Sequence, residues 1–226
     1  DQTRPLDEFR EDWTAAHELS HMLLPYILRD DSWLSEGFAS YYQNVLRARA
    51  GMLPRETAWQ KLYDGFQRGR EGTRGATLVE ASRDMRKRGS YMRVYWSGAA
   101  IALIADVELR RRSQGQQSLD AALGALAECC LPSDRAWTGR ELFGLLDELT
   151  AQTVFMELYE QHAESRRFPD LGPTSKRLGI DYQSGRVRLS DGPEAYRLRD
   201  AIMSPADGRP IDARSALERQ ELGDLD

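Results

Sequence analysis

The sequence predicts a mainly α-helical protein, and three observations carry that expectation. Apolar residues recur at three- and four-residue intervals, as in Trp59, Leu62, Tyr63 and Phe66, which is the spacing of one helix face. Helix punctuation separates such stretches, with Pro25, Gly51, Pro54, Ser118 and Thr138 at their ends. Strand-like alternation is read only between Ile180 and Leu189, around Ser184-Gly185, where a small hairpin is expected.

In order along the chain, residues 1–12 are a polar lead-in, and Trp13 to Leu24 form a first helix that Pro25 stops. Tyr26 to Asp31 bridge to a second helix, capped by Asp31 or Ser32 and running to Ala50 before Gly51. Tyr41 and Tyr42 extend it, one packing and the other bordering the cleft. A third helix is expected over Leu53 to Phe66, with Pro54 in its first turn. Gln67 to Gly89, rich in Arg and Gly, reads as a loop with one short helix and a solvated basic face. Gly89 to Arg112 is a strongly apolar helix. Its Ala99, Ala100, Ala102 and Ala105 make one surface thin enough for close packing.

Farther on, Ser118 caps a helix reaching about Cys129, and Thr138 caps another to Leu149. Ala151 to Glu164 is amphipathic and contains His162, read as a surface residue. Cys129 and Cys130 are neighbours, which disfavours an unstrained bridge between them. They read as partly buried thiols, neither a disulfide scaffold nor zinc ligands. The expected organisation is a lead-in over 1–12, a helical catalytic domain over 13–170, a C-terminal subregion with the hairpin over 171–205 and a polar tail over 206–226.

A chain of 226 residues that is 41% hydrophobic and 30% charged has the length and composition for one sizeable domain with a real core. The net charge of −5, with basic residues scattered among acidic ones, argues against nucleic acid as a partner. No apolar run approaches the ~18 residues of a membrane span, and none forms a signal segment. The compartment is not legible. A signal already removed would favour a secreted or periplasmic protein.

The chemistry is concentrated in His17-Glu18-Leu19-Ser20-His21, an HExxH pattern. Residues four apart on a helix lie about 40° apart around its axis, so both imidazoles can face one ion with Glu18 beside them. That supplies two zinc ligands and a general base. Two of the chain's three histidines fall in this motif. Glu36, fifteen positions past His21 in Trp33-Leu34-Ser35-Glu36-Gly37-Phe38, offers the third ligand. Two histidines, one carboxylate and an open position make a catalytic rather than a structural zinc site, with one Zn2+ per chain. Ser40, one turn beyond Glu36, is a position from which a hydroxyl can orient a ligand.

These residues resemble the gluzincin metallopeptidases, in which HExxH is followed by a glutamate ligand on a second helix. Trp33 to Tyr42 is most similar to the glycyl aminopeptidase family, with the aminopeptidase-N family second. Tyr95-Trp96-Ser97-Gly98-Ala99-Ala100 resembles the segment that supplies the transition-state tyrosine in both families, and Gly115 to Leu126 again looks like the glycyl aminopeptidases. The resemblance spans roughly residues 13 to 130. It implies the helical catalytic segment of a thermolysin-like (gluzincin) fold, a peptide substrate, aminopeptidase action, and Tyr95 as oxyanion stabiliser.

Two departures stand out. Fourteen residues separate His21 from Glu36, fewer than in the aminopeptidase-N family, so the connection between ligand helices is trimmed. Only sixteen residues precede His17, where these families place a β-rich region, so the chain reads as a catalytic segment. Two other readings stay open: a catalytically inactive peptidase-like interaction module, and a zinc hydrolase of a non-peptide bond.

Overall fold

The computed structural model describes residues 12–205, and among them helices dominate, with one two-stranded antiparallel hairpin, as the sequence predicts. The polar tail and nearly all of the lead-in lie outside the described residues.

The motif segment forms α1, Thr14–Ser20, continued by a 3₁₀ turn over His21–Leu23. The tightening comes just before Pro25, whose ring and missing N–H exclude another helical turn. The next helix, α2, spans Ser32–Arg49 and is buried on nearly every side: Trp33, Leu34, Phe38, Tyr41 and Val45 are each no more than 1% exposed. A helix that is buried all round is the centre of a core. Asp31 occupies its N-cap position but does not cap it with its side chain. The Asp31 carboxylate instead accepts from the Gly139 backbone N–H at 2.7 Å and the Tyr159 hydroxyl at 3.2 Å, tying distant helices to the start of α2.

The third helix, α3, covers Arg55–Glu71, with Pro54 as its N-cap, so it runs past Phe66 into the stretch expected to be loop. Packing explains the difference. Gly65 and Gly69 seat the Trp96 side chain, and a Cβ at either would collide with it. These glycines make room rather than break the helix. Two short helices follow, α4 at Leu78–Arg83, opened by a Thr77/Glu80 capping box, and α5 at Met85–Arg88.

Helix α6, Tyr91–Arg112, forms with α2 the most extensive helix pair among the described residues. Their backbones meet at Gly37 and Gly98: a Cβ on Gly37 would overlap the Gly98 Cα, and one on Gly98 would overlap the Trp33 carbonyl oxygen. The expected thin surface is real, and glycine sits at its point of closest approach.

Helices α7 (Leu119–Cys130), α8 (Gly139–Thr150) and α9 (Val154–His162) complete the helical body. The Ser118 and Thr138 side chains cap α7 and α8 as expected, accepting from the Ala121 and Glu141 N–H groups. The chain then forms α10 (Gly172–Leu178), the hairpin β1–β2 (Ile180–Gln183 and Arg186–Leu189), and α11 (Pro193–Met203). Positive φ at both Ser184 and Gly185 makes the tight turn that joins the strands. Neither α10 nor α11 was legible as a helix in the sequence, yet Leu178, Ile202 and Met203 reach the common core.

Three readings are corrected. Tyr41 and Tyr42 are both buried, donating to Asp106 and Asp120 at 2.9 Å, so neither borders a cleft. His162 is 6% exposed, not a surface residue. It continues the Val154 and Leu158 stripe at four-residue spacing, and that face of α9 turns inward. Cys129 and Cys130 are bonded to each other as a disulfide at the end of α7, where Leu131 leaves helical geometry.

Candidate metal centre

One nitrogen of each of His17 and His21 and one carboxylate oxygen of Glu36 lie within 4.8 Å of one another. Among the described residues this is the one group of histidine, cysteine and acidic side chains so arranged. His17 Nε2 stands 3.3 Å from Glu36 Oε2, and His21 Nε2 stands 3.8 Å from the same oxygen. Ligands at zinc bonding lengths of ~2.0–2.1 Å and tetrahedral angles lie about 3.3–3.4 Å apart. The spacing therefore fits one small ion, and so does the donor set of two imidazoles and a carboxylate.

Helix geometry explains the cluster. His17 and His21 project from one side of α1 and the turn that continues it, and Glu36 comes from the second turn of α2, which packs against α1. His17 is 3% exposed, whereas His21 and Glu36 are partly open. Glu18, one position past His17, is exposed on the open side. Its negative charge acts on both His17 and Tyr95.

The electrostatics are those of mutually stabilised side chains. Burial works to lower the pKa of His17, but hydrogen bonds with Glu36 and Gln43, and then the charges of Glu36 and Glu18, raise it above its ordinary value. For Glu36 burial pushes upward, and hydrogen bonds from His17 and Tyr95 together with the charges of both histidines pull its pKa below the usual carboxylate range.

Tyr95 lies one turn before Gly98 on α6, and the Gly37–Gly98 crossing sets it beside the residue preceding Gly37, which is Glu36. Its ring stacks on His17, 5.7 Å between centroids and 6° from parallel. Burial first, then the Glu36 charge and hydrogen bond, raise its phenol pKa well above 10, so it remains a neutral donor. Trp13 and Tyr91 flank this pair with edge contacts on His17 and Tyr95, and both are substantially exposed.

The structure thus brings His17, His21, Glu36 and Tyr95 together, with Glu18 at the rim. It also places two residues that the sequence reading passed over. Gln43 Oε1 is 2.9 Å from His17 Nδ1, and Ser35 Oγ is 2.9 Å from His21 Nδ1. Ser40, the expected orienting hydroxyl, is 2% exposed, and neither histidine's Nδ1 bonds to it. The signal for Gln43 was present: it follows Glu36 by seven residues, two helical turns, so it shares the face of α2 that carries Glu36.

A family model described as M61 glycyl aminopeptidase matches residues 25–106, less than half of the chain. The matched stretch includes Glu36 and Tyr95 and begins just after the HExxH turn. Over that stretch the chain is similar to a peptidase family. None of the curated proteins searched matches it.

Proposed function

We propose that the chain carries the catalytic part of a zinc-dependent peptidase, with His17, His21 and Glu36 as the metal ligands and residues 13–170 as the catalytic unit. The observation that carries the reading is the convergence of these three donors within 4.8 Å. The likeness of residues 25–106 to M61 glycyl aminopeptidase supports peptide-bond hydrolysis, and aminopeptidase action as its form.

When bound, zinc supplies Lewis acidity and brings its water from a pKa of 15.7 towards ~7. Glu18 would be the general base, taking a proton from the attacking water and giving it to the leaving amine. Its exposure on the open side of α1 suits a group that must meet incoming substrate. Tyr95 donates its hydroxyl hydrogen to the developing oxyanion. The Glu36 charge beside Tyr95 helps hold its phenol pKa up, which keeps that hydrogen available to donate.

Elemental analysis of the purified protein and its Glu36→Gln variant tests the site, followed by aminoacyl and internally quenched peptide substrates. About one zinc per wild-type chain, much less in the variant, and cleavage of aminoacyl substrates are the expected results. No metal in either protein, or equal metal in both, would sink the three-ligand site. Zinc bound with no cleavage of either substrate class would sink the peptidase reading.

A further inference from the structure

The outer nitrogen of each histidine is held by an uncharged side chain of α2, Gln43 for His17 and Ser35 for His21. We propose that Gln43 is the principal positioning residue of the metal centre. Through its neutral amide it fixes which nitrogen His17 presents and limits how tightly the metal is retained. The inference rests on the zinc reading above and concerns a residue outside the three ligands.

A neutral imidazole carries its proton on one nitrogen and its lone pair on the other. An acceptor fixed at Nδ1 keeps the proton there and leaves the lone pair at Nε2, the atom 3.3 Å from Glu36. Gln43 is suited to that task because it is 8% exposed and His17 is 3% exposed, so water competes poorly for the contact. Its backbone is equally constrained. Glu36 and Gln43 lie two turns apart on α2, Ser35 adjoins Glu36, and the Gly37–Gly98 crossing fixes the helix between them. The third ligand and both orienting groups therefore ride on one rigid element, and their spacing depends little on loops.

The charge of the acceptor has its own consequence. A carboxylate at position 43 would orient the ring equally well, make the imidazole a stronger donor and add a negative charge beside the cation. The amide orients without that charge, leaving Glu36 as the one negative ligand. The centre is held less tightly and is the more electrophilic for it.

Zinc affinity measured by chelator competition tests this on the full chain as wild type, Gln43→Leu, Gln43→Glu and Ser35→Ala, with thermal unfolding of each metal-free protein alongside. Gln43→Leu is expected to bind zinc roughly 10- to 100-fold more weakly, and Ser35→Ala to lose less because His21 is more open. Gln43→Glu is expected to bind zinc more tightly than wild type. Its near-identical shape keeps the test sound if the leucine variant does not fold. Affinity within about twofold of wild type for Gln43→Leu, or no gain in Gln43→Glu, would overturn the inference while leaving the zinc site standing. A wild-type protein that binds no zinc would remove both.

Discussion

Tyr95 shows how much a single side chain must satisfy in this site. Its ring lies flat on His17, so it packs, and burial beside the Glu36 charge keeps its phenol protonated, so it can also donate. Tyr95→Phe separates the two roles because the ring stays and the donor goes. If the hydroxyl holds the oxyanion, kcat should fall about 10²- to 10³-fold with zinc content unchanged, read by steady-state kinetics on the metal-loaded variant. An unaltered kcat would reduce Tyr95 to a packing residue. The sequence pointed to His17, Glu18, His21, Glu36 and Tyr95 by motif and resemblance. Gln43 and Ser35 were not singled out, because whether a side chain meets an imidazole on another helix depends on how the two helices are rotated against each other.

Between helices, the decisive contact is the glycine crossing of α2 and α6. Within an isolated helix, replacing glycine by alanine stabilises by about 0.8–1.0 kcal/mol. At Gly98 the added methyl has no room against the Trp33 carbonyl, so the sign reverses. Gly98→Ala should destabilise by about 1–3 kcal/mol in urea unfolding and lower kcat as Tyr95 shifts from Glu36. A gain in stability would show that the helices do not meet there. Ala151 presents the opposite case. It ends α8 with φ 50° and ψ 39°, a left-handed conformation costly for a residue with a Cβ, and it is exposed. Ala151→Gly should raise stability by about 1 kcal/mol, measured in the same way. The misread end of α3 has a similar lesson: Gly69 looks like loop punctuation in the sequence, and only Trp96 reveals its purpose.

Across the whole molecule, acid stability should carry the signature of His162. Burial, with Arg93's charge added, pushes its pKa down to about 4 from an ordinary value near 6.5. The unfolded chain thus takes up a proton between those values that the folded chain refuses. The stabilisation is complete above about pH 6.5 and is lost as pH falls towards 4, to the order of 3 kcal/mol. His162→Gln should flatten that part of the stability profile relative to wild type, followed by urea midpoints from pH 7 to pH 4. Glu157, whose pKa hydrogen bonds from Arg112 and Thr153 hold down at about 2, acts in a lower window. Parallel profiles for the two proteins between pH 6.5 and 4 would contradict the burial of His162. Among the described residues, no helix is long and apolar enough to cross a membrane.

By itself the sequence determined the helical class, most helix starts and the hairpin, because periodicity, caps and turn residues act over a few neighbours. It also displayed the candidate ligands, since HExxH and the Trp-Leu-Ser-Glu-Gly stretch are local patterns. Tertiary structure alone decided what those patterns face. It buried His162 and both Tyr41 and Tyr42, turned the Asp31 carboxylate to another helix, and set Gln43 and Ser35 behind the histidines. Each outcome depends on the relative placement of helices distant in sequence, as the glycine contact does between α2 and α6, and no local pattern encodes that placement.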